Sequence, residues 1–382
     1  MNVYVRELST ALARLGHEVV AFTRRDDPVR PAVTRVEPGF TVCCLDAGPP
    51  RPLERDELPQ WVDQFTAGVR RALREGPRPD AIHANYWLSG QAGHDLKHEF
   101  ALPLITTFHT LENVKSSTFV GESPARAAAE DRIVGCSDAI LASCDVEAEQ
   151  IVRHYGASTD RVHVIPLGVE HAFFAPGHRP QARRALGLAA PTPLLLFAGR
   201  LQELKGVDLA LETLIALRTR RRDVHLAIVG GPSGPSGRAT LEQLRERVDG
   251  AGVIDDVTFV APQPHELLST WYRAADVTLV PSRAESFGLV ALESSACGTP
   301  VVASRVGGLT TLVASEVNGL LVDERDPAVW ARAVEWVLDD ERATLLSTNA
   351  VLRARSYTWR AAAATVATLG ATLRDAQLVT CP

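Results

Sequence analysis

Short apolar runs rich in valine, isoleucine and leucine recur through the sequence, and segments with helical periodicity separate them. This alternation is typical of parallel α/β sheets, in which both faces of each strand are buried. The first half contains runs that predict strands at 19–22, 81–83, 104–108, 139–143 and 162–165. The second half contains runs that predict strands at 194–198, 225–229, 257–260, 277–280 and 301–304. We therefore expect an α/β protein with two Rossmann-like, doubly wound domains.

Turn-forming residues between 166 and 185 interrupt this pattern near the middle of the chain. A chain of 382 residues also favours two domains, because single cores stop growing at roughly 250 residues. We expect a first domain over 1–175, a second over 176–355, and a final helix within 356–382 that crosses back onto the first domain. A ligand is expected in the cleft between the domains. A Rossmann-like domain normally starts with a strand, and none precedes the helical pattern at the start. We therefore expect either that the first domain lacks its first strand or that the start codon was assigned too late.

Charge and cysteine usage exclude several functional classes. The 40 basic and 46 acidic residues give a net charge of −6, so no overall field attracts nucleic acid. Because no apolar run reaches the roughly 18 residues of a membrane span, we expect a cytoplasmic protein without a stable membrane anchor. The six cysteines show neither CxxC spacing nor a dense framework, which argues for a reducing compartment and against a zinc site.

The segment 281–293 has the composition of a ligand-binding turn followed by a helix. Glu285 lies in the turn directly after an apolar run, and Glu293 follows two helical turns later. A helix N-terminus binds a diphosphate through its free N–H groups and its dipole. Carboxylates accept hydrogen bonds from sugar or ribose hydroxyls. On spacing alone, however, two such glutamates are more often solvated residues of a helix surface.

Two further segments with glycine follow predicted strands. Gly199 would let a ligand approach the backbone, and Arg200 and Lys205 could stabilise a departing diphosphate, although an arginine and a lysine at this spacing are usually surface charges. The turn at Gly230 and Gly231 is equally well explained as a plain loop. No Asp-x-Asp motif or clustered set of ligands is present. We therefore expect no metal and no other cofactor, since cations and helix dipoles supply the neutralisation.

Seven residues separate the two glutamates, with Phe-Gly after the first and Ala-Cys-Gly-Thr-Pro-Val-Val after the second. With the R-x4-K pair of Arg200 and Lys205, this pattern resembles the donor-site signature of the retaining GT-B glycosyltransferases of family 4. The glycine turn after 229 and the segments 272–276 and 306–309 are similar to the subgroup of inositol phosphate glycosyltransferases and sucrose-phosphate synthases. The resemblance covers nearly the whole chain, but the strand and Gly-Gly turn that precede residues 1–5 in the family are missing from this sequence.

The resemblance implies a GT-B fold and a donor site. Glu293 would bind the ribose hydroxyls, and the donor sugar and phosphates would contact backbone of the loop and helix start. The implied donor-binding residues are Gly231, Phe287, Gly288, Leu289 and Glu293. The implied catalytic residues are His109, Arg200, Lys205 and Glu285. An isolated histidine at the end of a buried strand is more often a satisfied core residue, but the resemblance places His109 against the donor sugar.

The motifs at 83–90 and 107–111 are similar to the acceptor domain of the same subgroup. The resemblance implies an acceptor site in which cationic and hydroxyl groups hold a phosphate and an asparagine contacts the inositol ring. The implied acceptor-binding residues are Asn2, Arg55, Tyr86, Thr110 and Arg126. Arg55 stands where the family usually has lysine.

The activity implied by the resemblance is retaining transfer of a sugar from a nucleotide diphosphate to a hydroxyl of a small polyol or its phosphate. The expected donor is UDP-GlcNAc and the expected acceptor is inositol phosphate. A specialised-metabolite glycosyltransferase with another donor and acceptor stays open, as do a GT-B pseudo-enzyme and an epimerase. The donor and the acceptor are the expected partners, and a homodimer is possible.

Overall fold

The structure is a computed structural model that describes residues 2–116, 123–188, 192–221, 223–234 and 237–381, without the side chains of 115 and 116. The chain forms two compact units: unit 1 comprises Met1–Gly168 and Trp359–Pro382, and unit 2 comprises Val169–Thr358. Unit 2 thus begins earlier than residue 176, because residues 169–174 pack within it. The Val169 N–H donates to the Tyr357 carbonyl oxygen at 3.2 Å, and the Phe174 ring lies edge-on to His265 with centroids 4.8 Å apart.

Both units are built on mainly parallel strands. The strands of unit 1 are β1 (Val19–Arg24), β2 (Val33–Glu37), β3 (Phe40–Leu45), β4 (Ile82–Asn85), β5 (Leu104–Thr107), β6 (Ala139–Ala142) and β7 (Val162–Val164). The strands of unit 2 are β8 (Leu194–Ala198), β9 (His225–Val229), β10 (Val257–Val260), β11 (Val277–Val280), β12 (Val301–Ser304) and β13 (Gly319–Val322). All ten strands predicted from the sequence are present, and the five in the second half have the predicted bounds.

The helices lie between the strands. In unit 1 they are α1 (Asn2–Arg14), α2 (Val62–Glu75), α3 (Trp87–Phe100), α4 (Glu112–Ser116), α5 (Pro124–Cys136), α6 (Asp145–Tyr155) and, after unit 2, α15 (Trp359–Arg374). In unit 2 they are α7 (Arg179–Ala185), α8 (Val207–Arg218), α9 (Gly237–Ala251), α10 (His265–Ala274), α11 (Leu289–Ala296), α12 (Leu309–Leu312), α13 (Pro327–Val337) and α14 (Asp340–Ala354). The last helix therefore belongs to the same unit as the first.

Three strands were not predicted: β2, β3 and β13. Four of the five residues of β2 are exposed, so it lacks the continuous apolar run that marks a buried strand. Strand β13 is only four residues long and begins with glycine. Short or exposed strands depend on pairing with a neighbour, which a local pattern does not show.

Unit 1 contains two sheets and unit 2 contains one. In unit 1, β1-β3-β2 form one sheet, with β1 parallel and β2 antiparallel to β3, and β4-β5-β6-β7 form a parallel sheet. No strand within the described ranges joins β1 to β4. In unit 2 the order is β10-β9-β8-β11-β12-β13, and every pair is parallel. Strand order reverses between β8 and β11, which makes the carboxyl ends of these two strands the topological switch point of the sheet.

Each unit has its own core. In unit 1, Trp87, Phe108 and Ile133 pack together from α3, the end of β5 and α5. In unit 2, Trp330 of α13 is fully buried and its indole N–H donates to the Glu324 carbonyl oxygen at 2.8 Å. Leu214 of α8 belongs to the same buried cluster. These cores hold the helices against the sheets and fix where each strand ends.

Cys136 and Cys381 are joined as a disulfide in unit 1. The spacing of the cysteines did not predict this pair, because 245 residues separate the two positions. The other four cysteines form no disulfide. Across the described residues, no helix has both the length and the apolar character needed to span a bilayer.

Candidate active site

The loop between β11 and α11 carries Glu285, one of the predicted catalytic residues. Gly288 directly precedes α11 with φ of 107°, a left-handed conformation that favours glycine. The Gly308 N–H donates to the Glu285 carbonyl oxygen at 2.9 Å. A Cβ atom on Gly307 would overlap that same oxygen. The glycines after β12 therefore let a second loop approach closely and fix the path of the backbone at Glu285.

Lys205 meets Glu285 at the same place. Its ammonium group lies 2.7 Å from Glu285 Oε2, and the Ser282 hydroxyl donates to that oxygen at 3.2 Å. Lys205 ends a 3-10 turn, and Gly206 follows with φ of 69°. A Cβ atom at Gly206 would overlap the Pro281 carbonyl oxygen. The sequence predicted both ends of this ion pair, and the structure brings them together although 80 residues separate them.

A small cavity of about 40 Å³ lies beside this pair. Its lining includes Phe197, Gly199, Lys205, Ser282, Glu285 and Val290. These residues come from the ends of β8 and β11 and from the segments that follow them, so the cavity lies at the switch point of the unit 2 sheet. Ligands of open α/β sheets bind at such a point. Arg200 is exposed just after β8, next in sequence to cavity-lining Gly199.

Glu293 is held in place by two side chains from α10. Only 5% of the residue is exposed. One carboxylate oxygen lies 2.8 Å from His265 Nε2, and the other accepts the Tyr272 hydroxyl at 2.9 Å. Burial and the Glu293 charge hold the pKa of Tyr272 well above its usual value of 10, so its hydroxyl remains a donor. A carboxylate has further lone pairs, and Glu293 can thus accept additional hydrogen bonds without changing its position.

The remaining predicted donor residues line the same edge of unit 2. Phe287 is buried, and Leu289 is the first residue of α11. The Gly231 carbonyl oxygen accepts the Leu201 N–H at 2.9 Å, which ties the turn after β9 to the segment after β8. A Cβ atom on Gly230 would overlap the Gly199 carbonyl oxygen. Glycine is therefore required at 230 so that the two loops can meet.

In unit 1, His109 lies at the end of β5 beside the end of the neighbouring strand β4. Its Nε2 donates to Asn85 Oδ1 at 2.9 Å, and its ring lies edge-on to Tyr4 with centroids 4.8 Å apart. Burial lowers the pKa of His109 to about 3, so the imidazole is neutral at neutral pH. His109 and Tyr86 have φ of 62° and 77°, respectively. Such a conformation is uncommon outside glycine and, where it occurs, is frequent at functional sites.

Three of the predicted acceptor residues come together in unit 1. The Arg126 guanidinium donates to the Thr110 carbonyl oxygen at 2.8 Å and to its hydroxyl at 3.2 Å. The same group lies 5.2 Å from the centre of the Tyr86 ring. Arg55 and Asn2 are exposed, and among the described residues no hydrogen bond or ion pair joins either of them to these three residues.

Two buried glutamates already balance the charge of Arg126. Glu112 Oε2 lies 2.9 Å from Arg126 Nη1, and Glu130 Oε1 lies 2.7 Å from Arg126 Nε. Glu130 also accepts the Tyr155 hydroxyl and the Glu112 N–H. We call Arg126, Glu112, Glu130 and Tyr155 the Arg126 network. In this arrangement Arg126 does not present an unbalanced positive charge.

Sequence reasoning missed several residues of these sites. Glu130 could have been found, because it lies four residues after Arg126 on α5, a spacing that pairs opposite charges on a helix. Glu112 and Tyr155 carry no such local signal, and neither does His265 beside Glu293. Asn85 was within a motif noted in the sequence, but only the register of β4 against β5 places it next to His109.

Two family models match this chain. The description "Glycosyl transferases group 1" applies to residues 178–357, and "Glycosyl transferase 4-like domain" applies to residues 1–168. D-inositol 3-phosphate glycosyltransferase of Xylanimonas cellulosilytica is 45% identical over 95% of this chain and 89% of its own length.

Solved structures agree with these matches. Sucrose-phosphate synthase from Thermosynechococcus elongatus has a TM-score of 0.89 at 34% identity, and covers 97% of this chain and 93% of that one. Anabaena HepE in complex with UDP-glucose has a TM-score of 0.74 at 19% identity, over 87% of this chain and 86% of that one, and shows the fold alone. The predicted α/β architecture and the predicted transferase activity are confirmed. The chain belongs to the group 1, family 4 glycosyltransferases of GT-B fold.

Proposed function

We propose that this glycosyltransferase moves a sugar, with retention of anomeric configuration, from UDP-GlcNAc to a hydroxyl of inositol phosphate. The observation that carries the proposal is the meeting of Lys205, Glu285 and the small cavity at the switch point of the unit 2 sheet. Glu293, held by His265 and Tyr272, supports the assignment of a nucleotide ribose to the same unit. The relative named D-inositol 3-phosphate glycosyltransferase supports the acceptor.

In the proposed reaction, the bond between the anomeric carbon and the diphosphate oxygen breaks, and a bond to the acceptor hydroxyl oxygen forms on the same face. The hydroxyl proton passes to the departing phosphate oxygen. Lys205 and Arg200 stabilise the negative charge that develops on the diphosphate, together with the N–H groups at the start of α11. Glu285 holds the Lys205 ammonium group near the cavity until the phosphate binds, and also accepts hydroxyls of the sugar.

His109 serves this reaction as a neutral hydrogen-bonding group. The burial that lowers its pKa to about 3 prevents it from carrying a positive charge at neutral pH. Asn85 fixes its ring through the bond to Nε2. We propose that His109 contacts the donor sugar close to the anomeric carbon. No side chain acts as a general base in this proposal, because the departing phosphate oxygen takes the proton.

The proposed acceptor phosphate binds in unit 1 near Thr110 and Tyr86, with Arg55 as the available cation. Arg126 positions Thr110 through two hydrogen bonds and is itself balanced by two carboxylates. An arginine fork matches phosphate oxygens, and a charge-assisted bond is roughly twice as strong as a neutral one. In this proposal Arg55 therefore supplies the positive charge that attracts the phosphate, and the Arg126 network holds Thr110 in position.

The test is a panel of nucleotide sugars incubated with the protein, with nucleotide release followed in the presence of inositol phosphate, inositol or neither. We expect release with UDP-GlcNAc and inositol phosphate, and an NMR spectrum of the product that shows a retained anomeric configuration. Arg55→Ala should lower the preference for inositol phosphate over inositol, measured as a ratio of kcat/KM, by about ten-fold. Arg71→Ala, which removes an exposed arginine from α2, is the matched control and should leave this ratio unchanged.

A second candidate, transfer to an acceptor without a phosphate, is favoured by one observation: two buried carboxylates neutralise Arg126. Equal kcat/KM for inositol and inositol phosphate would contradict the proposed acceptor and support this second candidate. If nucleotide is released only with a nucleotide sugar other than UDP-GlcNAc, the proposed donor is wrong, but the transferase assignment still holds.

A further inference from the structure

Four side chains with metal-binding donor atoms converge in unit 1, and none of them is among the residues assigned above to the candidate active site. They are His94, His98, Cys136 and Cys381, and their ligand atoms all lie within 4.8 Å of one another. We call them the His-Cys cluster. Two thiols and two imidazoles at this separation are the donor set of tetrahedral zinc sites.

The fold brings these residues together from three segments. His94 and His98 are four residues apart on α3, so they share one face of the helix, and their rings lie edge-on with centroids 4.8 Å apart. Cys136 is the last residue of α5 and is 1% exposed. Cys381 comes from the segment after α15.

A contact outside the His-Cys cluster holds this last segment in place. The Val379 N–H donates to one Asp138 carboxylate oxygen at 2.7 Å. The other oxygen of Asp138 accepts bonds from the buried Lys97 ammonium group at 2.8 Å and from the Leu104 N–H at 2.7 Å. The position of Cys381 therefore does not rest on its bond to Cys136 alone.

A disulfide explains the closeness of the two sulfur atoms but not the two imidazoles. His98 Nε2 lies 2.9 Å from Cys381 Sγ, and His94 Nδ1 lies 3.9 Å from the same sulfur. A structural disulfide needs no histidine, whereas zinc uses all four side chains. In a reducing compartment, which the cysteine spacing predicts, disulfides are rare.

We infer that the His-Cys cluster binds one zinc ion when its two cysteines are reduced. On binding, each thiol releases its proton and becomes a thiolate, the bond between the sulfurs is absent, and each imidazole coordinates through a neutral nitrogen. Two thiolates balance the two positive charges of zinc, so the site is uncharged overall. Since four protein ligands leave no open position, the role is structural. The ion would fasten the segment after α15 to α3 and α5.

The test uses the full chain without a purification tag, expressed in zinc-containing medium and purified under reducing conditions. Elemental analysis after dialysis should find about one zinc per chain. His98→Ala and Cys381→Ser should each lower the bound zinc at least about ten-fold, because each removes one of four ligands. His154→Ala on α6 and Cys43→Ser remove a histidine and a cysteine elsewhere in unit 1, and both should retain the metal.

A second measurement distinguishes coordination from adventitious binding. Cobalt(II) exchanged into the protein should show the visible absorption of a tetrahedral site with thiolate ligands, and His98→Ala should remove it. Chelation of the metal should also speed hydrogen exchange at the Val379 amide, because the segment after α15 would no longer be fastened to α3 and α5. If protein from cells with a reducing cytoplasm contains no zinc and has Cys136 and Cys381 joined as a disulfide, the inference is overturned. Full zinc retention in both His98→Ala and Cys381→Ser would also overturn it.

Discussion

The Arg126 network predicts a large contribution of Arg126 to the free energy of unfolding. This contribution affects how the activity of acceptor-site variants is interpreted. Arg126→Met removes the guanidinium and keeps much of the apolar stem. Glu112 and Glu130 are 5% and 0% exposed, so their charges would lose their partner in the interior. Breaking a buried pair by removing one partner costs about 3–5 kcal/mol. We expect the lower end, about 3 kcal/mol, because Glu130 keeps the Tyr155 hydroxyl and the Glu112 N–H as donors.

The assay is urea-induced unfolding followed by circular dichroism. Arg70→Met is the matched control, because Arg70 forms a partly exposed ion pair with Glu99, whose loss should cost less than about 1 kcal/mol. Adding Glu112→Gln to Arg126→Met neutralises one of the two carboxylates that have lost the guanidinium, and should restore at least about 1 kcal/mol.

A loss below about 1 kcal/mol for Arg126→Met would refute this reasoning, because it would show that Arg126 does not balance the two glutamates. Failure of Glu112→Gln to restore stability would refute it as well. If the defect is as large as expected, reduced activity of an Arg126 variant does not identify phosphate binding. Arg55 is then the position at which acceptor charge can be tested without disturbing the interior.

Four further predictions concern the candidate active site. Lys205→Ala should lower turnover by about 10²-fold or more with a smaller effect on nucleotide affinity, since Lys205 acts on charge that develops in the transition state; single-turnover rates within about three-fold of the parent would contradict the role. Glu293→Ala should weaken nucleotide binding by about 1–3 kcal/mol in calorimetry, because ribose hydroxyls lose their acceptor, and unchanged affinity would disprove the assignment. Gly307→Ala should displace the loop at Glu285 and destabilise the protein by about 1–3 kcal/mol in thermal unfolding; an unaltered midpoint would show that the loop tolerates a side chain. His109 stays neutral in the folded protein down to pH of about 3, whereas the unfolded chain takes up a proton below its ordinary pKa of 6.5, so acidification from neutral pH destabilises the protein through this residue. His109→Gln should therefore be less sensitive to acid in urea unfolding between about pH 7 and pH 5, and equal sensitivity would contradict the pKa shift.

Local pattern was sufficient for much of the fold. Every residue of β8, β11 and β12 is buried, and the bounds of these strands follow from the sequence because burial on both faces favours apolar side chains. Helix α1 and the positive φ of Gly16 after it follow from helical spacing and a glycine stop. Strand β2 is mostly exposed, so burial does not require apolar residues in it. Its conformation depends on pairing with β3.

The donor site was also open to prediction, because its residues lie in loops directly after strands. In a parallel sheet the carboxyl ends of all strands share one edge, so Lys205 after β8 and Glu285 after β11 had to come near each other once the strand order was known. The family pattern of Arg200, Lys205, Glu285 and Glu293 made the assignment specific. The roles of these residues in binding remain predictions.

Only the tertiary structure decided the environment of each charged or metal-binding side chain. Arg126 appears in the sequence as a cation available for phosphate, but the packing of α4 and α5 places two buried carboxylates around it. The His-Cys cluster was equally hidden, because Cys136 and Cys381 are 245 residues apart and the cysteine spacing argued against zinc. The sequence shows which side chains lie at the end of a given strand or on one face of a given helix. Whether a charge is balanced, and whether four ligands converge, depends on contacts between elements that are distant in the chain, and these form only when the cores pack.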